Sequence, residues 1–311
     1  MPSAGALTLS TGLDADLDPA PVVRRILTWY GERGRDLPWR RPNATPWQIV
    51  ISEFMLQQTP VARVLGPWQT WVERWPSAPA LAAAPVGEAV RAWGRLGYPR
   101  RALRLHAAAT VMTERHDGEV PTAHADLLAL PGVGSYTAAA TASFAFSQRH
   151  IVLDTNVRRV LTRIATGIAH PPASLGTAEE QRARRFLPRS GVRAARWAVA
   201  SMELGALICT ARSPRCDSCP VARHCAWHRL GHPVQPGPPR RGQAYAGTDR
   251  QCRGALLAVL RSTDGSVPGS ELARAWPQPD QRRLCLESLR ADGLLESTGE
   301  DRYALPMSSH P

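Results

Sequence analysis

Apolar and small residues recur along this chain at intervals of three and four from about Pro21 to Gly231, with arginines between them and proline and glycine confined to the joints. That period belongs to helices that bury one face, so the spacing predicts a mainly α chain over residues 21–231. Two boundaries are legible directly. Thr45-Pro46-Trp47-Gln48 combines a capping box with proline at the first helical position, and Thr59-Pro60 repeats the cap-then-proline signal. One helix therefore ends near Gln57-Gln58 and the next begins just beyond. Residues 1–20 read as a disordered leader, and residues 232–249, rich in proline and glycine, as a linker. Past the linker, residues 250–311 form a small unit. Helices over Arg253–Arg261, Gly269–Trp276 and Asp280–Ala291 lead to a two-stranded wing around Leu294-Leu295-Glu296, Thr298-Gly299 and Tyr303-Ala304-Leu305, the order of a winged helix-turn-helix.

Charge sharpens the picture. The 311 residues carry 38 basic and 26 acidic side chains, a net +12, and every basic one is arginine. Such a surplus favours a polyanionic partner, nucleic acid first. Residues 250–311 are neutral, with eight arginines against eight carboxylates, so the surplus lies in the first 249 residues. A 43% hydrophobic content excludes a disordered chain, and no stretch approaches the roughly 18 uninterrupted apolar residues of a membrane span. The start carries Asp14, Asp16 and Asp18 and no cation before Arg24, unlike a signal peptide. The expected setting is the bacterial cytoplasm and nucleoid, with no membrane partner.

Three groups of residues carry chemistry. In Leu130-Pro131-Gly132-Val133-Gly134-Ser135-Tyr136-Thr137-Ala138, one helix ends at Leu130, two glycines make a tight turn, and Ser135 caps a second helix. A plain helical hairpin uses such a turn. In a helix-hairpin-helix it brings Gly132, Gly134 and Ser135 against a phosphate, with the new helix's N–H groups aimed at the anion. Cys209, Cys216, Cys219 and Cys225 follow the spacing Cys-x6-Cys-x2-Cys-x5-Cys. In a cytosolic chain this means metal, and the spacing leaves tetrahedral zinc and a [4Fe–4S] cluster both open. Arg212, Arg215 and Arg223 sit among the ligands as a basic surface fit for phosphate. Last come two carboxylates. Glu53 has the apolar neighbours Ile51, Phe54, Met55 and Leu56, a setting that holds a proton near neutral pH. Asp154 opens a helix, where the dipole and free N–H groups keep a carboxylate ionised. Singly they read as a helix Glu and an N-cap Asp. Together they supply the protonated and ionised pair that cleaves glycosidic bonds through an oxocarbenium-like state.

Arg35-Asp36-Leu37-Pro38-Trp39-Arg40, Ser52-Glu53-Phe54-Met55-Leu56-Gln57-Gln58-Thr59, Leu96-Gly97-Tyr98, the hairpin run, Val152-Leu153-Asp154-Thr155-Asn156, Met202-Glu203-Leu204-Gly205-Ala206 and the cysteine spacing resemble the MutY family of adenine DNA glycosylases. The motifs fall in the family's order from roughly Leu27 to Trp227. The resemblance implies base excision repair: removal of adenine mispaired with 8-oxoguanine or guanine, by a monomer acting on double-stranded DNA. It implies two helical subdomains, one bearing the hairpin and the other a [4Fe–4S] cluster on the four cysteines, with the active site in the cleft between. Carried over, Glu53 protonates adenine at N7 and later helps activate water, Asp154 stabilises or traps the sugar cation, and Tyr136 and Asn156 position that chemistry. Arg35, Trp39, Arg40, Leu56 and Glu203 resemble the wall of the adenine pocket. Gln58 and Tyr98 resemble the residues that wedge into the duplex, with Thr59 and Leu96 beside the estranged base. Nicking relatives that resemble endonuclease III have a lysine where this chain has Tyr136, so the resemblance implies a monofunctional enzyme.

The chain departs from the family in two places. Pro99 follows Tyr98 where a second tyrosine is expected, and the 62 residues after Asp249 are too few for the MutT-like domain that reads 8-oxoguanine. The tail Ser308-Ser309-His310 faintly resembles a Ser-His pair of that domain. Two other readings are a sister hairpin glycosylase for thymine mismatches or oxidised pyrimidines, and a non-enzymatic regulator with the cluster as sensor and the winged unit as reader. Glu53 followed by Gln57-Gln58-Thr59 counts against the first, and the neutral winged unit against the second.

Overall fold

The computed structural model describes residues 17–234 and 245–307; most of the leader, the middle of the linker and Ser308-Ser309-His310 lie outside the described residues. In chain order the helices are α1 (Pro19–Arg33), α2 (Pro46–Leu56), α3 (Val61–Arg74), α4 (Ala78–Ala82), α5 (Val86–Trp93), α6 (Arg100–Arg115), α7 (His124–Ala129) and α8 (Ser135–Phe146). There follow α9 (Thr155–Thr166), α10 (Thr177–Phe186), α11 (Gly191–Leu207), α12 (Ala226–Arg229), α13 (Asp249–Ser262), α14 (Gly269–Ala275) and α15 (Pro279–Ala291). Three short strands, β1 (Val267–Pro268), β2 (Glu296–Gly299) and β3 (Arg302–Ala304), form one antiparallel sheet in the order β1-β3-β2. The fold is mainly α, with two compact units each made of two chain stretches: Met1–Ala44 with Ser135–Pro239, and Thr45–Gly134 with Arg240–Pro311.

Local signals account for the main boundaries. Asp18 Oδ1 accepts from the Ala20 amide at 3.0 Å, so α1 starts at Pro19, two residues inside the stretch expected to be leader. Both capping-box bonds of α2 form, Gln48 N to Thr45 Oγ1 at 3.3 Å and Thr45 N to Gln48 Oε1 at 3.0 Å. Pro99 sits just before α6, where a missing N–H costs nothing. Strand β1 adds a third member to the wing; two residues ending in proline leave no periodicity to read.

In the first unit, Val22, Val23 and Ile26 of α1 bury against Val157, Val160, Leu161 and Ile164 of α9 and Leu204 of α11. Phe186 stacks on Trp197 at 6.1 Å. The second unit is built on tryptophan: Trp71 meets Trp75 and Trp93 edge to face at 4.8 and 5.4 Å, and Trp47 Nε1 donates to Trp75 O at 2.9 Å. The winged unit belongs to this second unit. Gly87 N of α5 donates to Pro306 O at 2.7 Å, and a Cβ at Gly87 would lie 2.6 Å from that oxygen, so only glycine allows the contact. No helix among the described residues is long and apolar enough to cross a membrane.

Candidate active site and metal centre

Helix α2 has no solvated face over its last two turns: Ile49 through Met55 are all buried, and Glu53 among them is 6% exposed. Its carboxyl therefore sits in the apolar setting that the sequence pattern predicts. The helix stops at Gln57, and Gln58 follows at φ 54°, the left-handed region that a non-glycine residue enters at a cost. Tyr98, 58% exposed, has φ 47°. One buried side chain holds both loops. Arg101 donates to the carbonyls of Phe54 and Met55 (both 3.0 Å) and Gln57, to Thr59 Oγ1 (2.9 Å) and to Gly97 O (3.0 Å). Burial pulls its guanidinium down to about 10, which leaves it charged at neutral pH. Thr59 and Leu96 are both buried, and Thr59 Oγ1 reaches Leu96 O at 3.3 Å. They buttress the tips on which Gln58 and Tyr98 stand.

The hairpin glycines have different jobs. Gly132 lies at φ 76°, and a Cβ there would meet Arg104 Cβ at 2.6 Å and Phe54 Cε1 at 3.0 Å, whereas nothing lies within 4 Å of a Cβ at Gly134. Helix α8 begins at Ser135 itself, which is exposed. Gly134 is thus the glycine with open space beside it. Gly132→Ala is expected to cost more than the roughly 1 kcal/mol of a plain left-handed alanine, because the clash with the Arg104 and Phe54 side chains adds to it. Gly134→Ala is expected to leave the melting temperature near wild type and weaken DNA binding. Thermal melts and salt-dependent DNA titrations check both, and equal melting losses would refute the division.

In the first unit, Asp154 caps α9: its Oδ1 accepts from Val157 N at 2.7 Å and its Oδ2 from Asn156 Nδ2 at 2.7 Å. Burial nonetheless outweighs those bonds and pushes its carboxyl above the ordinary aspartate value. Asn156 is fixed in turn by Arg159, whose NH2 donates to Asn156 Oδ1 and to Gly205 O, both at 2.8 Å, and whose Nε donates to Cys209 O at 2.7 Å. Gly205 makes room for this: a Cβ there would lie 2.6 Å from Asn156 Cβ. Tyr136, on the first turn of α8, packs against the small cluster of Ala139, Ala140, Val152 and Ala198.

Arg35, Arg40 and Glu203 converge. The fully buried Glu203 carboxylate takes Arg35 Nε at 2.5 Å, Arg35 NH2 at 3.0 Å and Arg40 NH1 at 2.7 Å. Burial alone would raise this carboxyl, but the two guanidiniums prevail and hold it below the usual range. Trp39, also buried, lies in the 3₁₀ turn Pro38–Arg40 between them.

The four cysteines line one cavity after α11, with Val160, Ile164, Leu204, Ile208 and Trp227 around them. Burial pushes the Cys219 thiol up to about 12 and Cys225 up to about 11, although backbone amides of Val221, Trp227 and His228 point at those sulfurs. Thiolates so placed need a cation to form. Four thiols around one apolar cavity are a soft, closed donor set of the kind that holds an iron–sulfur cluster. When bound, a [4Fe–4S] cluster ties the loop into one folded piece and takes charge from the thiolates. Arg163 prepares for that: buried, it donates to Cys209 Sγ at 3.3 Å and to the carbonyls of Ala169, Thr210 and Ala211. Arg212, Arg215 and Arg223 are exposed around the loop, Arg215 also reaching Leu207 O. Sequence reading missed Arg101, Arg159 and Arg163, since an arginine in a helix of an arginine-rich chain looks like solvated charge.

Residues 51–180 match the HhH-GPD superfamily of base excision DNA repair proteins, and residues 209–225 match the iron-sulfur binding domain of endonuclease III. Fold and site thus define a DNA repair enzyme of the helix-hairpin-helix class with a [4Fe–4S] cluster. The chain is 52% identical over 282 residues to the adenine DNA glycosylase of Mycobacterium tuberculosis, covering 90% of this chain and 92% of that one. Against the adenine DNA glycosylase of Mycolicibacterium smegmatis it is 51% identical, covering 90% and 94%. Among solved structures, a thermostable thymine-DNA glycosylase superposes with a TM-score of 0.62 at 27% identity, covering 68% of this chain and 97% of that one. The chain belongs to the adenine DNA glycosylase family.

Proposed function

We propose that this enzyme, as a monomer, flips adenine out of A:8-oxoG and A:G mispairs and hydrolyses its N-glycosidic bond without cutting the strand. The observation that carries the reading is the pair of unlike carboxyls. Glu53 lies in a helix with no solvated face, where it is suited to give a proton to adenine N7. Asp154 is held by two donors at a helix start, where it is suited to stabilise the sugar cation. Gln58 and Tyr98 supply the wedge, which offsets the few kcal/mol of unstacking. The fold is shared with a thymine-DNA glycosylase, so fold does not choose the base; the family does. Duplexes carrying A opposite 8-oxoG, G, C or T, and T opposite G, test this by alkali cleavage after incubation. Alkali-labile sites are expected at A:8-oxoG and A:G alone. Base loss at T:G would return the pyrimidine reading, and tight binding without base loss the regulator.

The raised Asp154 carboxyl fixes a pH effect. The ionised form is the useful one, so activity is expected to rise with pH through a limb above the ordinary aspartate value of about 3.9 and to fall away below it. Asn156→Ala removes one bond to the ionised form and is expected to move that limb further up. Single-turnover rates against pH check this, and a limb unmoved in the variant would detach Asp154 from it.

A further inference from the structure

The loop between α5 and α6 has no regular structure, yet five successive carbonyls in it, from Gly94 to Tyr98, are all held. Gly94 O takes Arg261 NH1 at 2.6 Å, Arg95 O takes Arg63, Leu96 O takes Thr59 Oγ1, Gly97 O takes Arg101 and Trp93 Nε1, and Tyr98 O takes Arg101 N. Of these donors, Arg261 alone comes from the winged unit. Arg261 Nε also reaches Val90 O at 2.9 Å, a carbonyl left without its helical partner because Gly94 N bonds to Arg91 O instead. The capping is reciprocal: Arg91 on α5 donates to Arg261 O and, at 3.0 Å, to Thr263 O, the last carbonyls of α13. At the loop's far end, Asp292 of the winged unit pairs with Arg100, two residues past Tyr98, at 3.2 Å, and is itself held by Arg253 at 2.5 Å.

Most cations of the winged unit are engaged by protein groups, although several of them stand at its surface. Arg253 and Arg261 are engaged as above, Arg282 donates to Trp276 O, Arg283 pairs with Glu287, Arg302 donates to Ser266, and Arg250 lies over the Tyr245 ring. Six of its eight arginines thus have protein partners, and the unit is neutral overall. A phosphate-gripping reader needs the opposite arrangement. We propose that the winged unit serves as a clamp: Arg261 and Asp292 are positioning residues that hold both ends of the Gly94–Arg100 segment, so that Tyr98 enters the duplex from a rigid base. Its part in mispair recognition is exerted through that loop. A wedge pushes against a stacked helix, and a loop that yields by an ångström loses much of the thrust.

This inference rests on the reading of Tyr98 as a wedge, and the experiment separates the two. Full-length protein is bound to an A:8-oxoG duplex whose adenosine carries a 2′-fluorine, which disfavours the sugar cation so that the base stays on. A 2-aminopurine beside the opposite base reports unstacking by its fluorescence. Wild type is expected to raise the signal and Tyr98→Ala to abolish the rise. Arg261→Gln is expected to lose most of the rise and bind about five- to tenfold more weakly, with Arg261→Lys intermediate, while circular dichroism and cluster absorbance remain those of wild type. Asp292→Asn is expected to act in the same direction and carries the test if Arg261→Gln does not fold. A Tyr98→Ala protein that keeps the full rise would sink the wedge itself. A lost rise in Tyr98→Ala with an unchanged one in folded Arg261→Gln, or in Asp292→Asn where that variant carries the test, would overturn the clamp.

Discussion

Glu53→Gln is expected to stop base removal while leaving mispair binding near wild type. General acid catalysis is typically worth about 10²–10⁴-fold, and the same carboxyl serves again when water attacks, so the loss falls at the upper end or beyond. The substitution is isosteric within a helix whose residues from Ile49 to Met55 are all buried, so packing is kept and the affected quantity is the proton. Single-turnover rates at saturating protein, beside binding to an uncleaved duplex, separate chemistry from affinity. Turnover close to wild type in Glu53→Gln would remove this carboxyl from the mechanism.

The strand is expected to remain whole. Cutting it through a Schiff base needs an amine at the sugar C1′, and the chain has no lysine at all. Tyr136 holds the place just inside the second hairpin helix, and arginine cannot substitute because its guanidinium stays protonated. Borohydride should trap little or no covalent adduct, and breaks should appear only after heat or alkali. The converse variant, Tyr136→Lys, should gain slow cleavage and a trappable adduct. Efficient trapping by the unmodified enzyme would point to the amino terminus as the nucleophile.

What the sequence disclosed, and what it hid, divides by distance along the chain. The capping box at Thr45, the break at Gln57-Gln58, the hairpin turn and the cysteine loop are local, and each leaves a mark within a few residues. The buried setting of Glu53 and the helix start at Asp154 were legible for the same reason: an apolar run and a cap are short patterns. The arginines that hold the site were not. Arg101 reaches Phe54 across 47 residues, Arg163 reaches Cys209 across 46, and Arg261 reaches Gly94 across 167. Nothing near those positions distinguishes a structural guanidinium from a solvated one. The burial that raises the Asp154 carboxyl was hidden similarly, since its helix start was visible and the protein packed around it was not.

Gln58 and Tyr98 each sit in backbone conformations that glycine would occupy more cheaply, a cost of order 1–3 kcal/mol apiece. A laboratory search for heat-tolerant forms, blind to repair, would therefore drift toward glycine or asparagine at both places and arrive at a hardier protein without the proposed wedge.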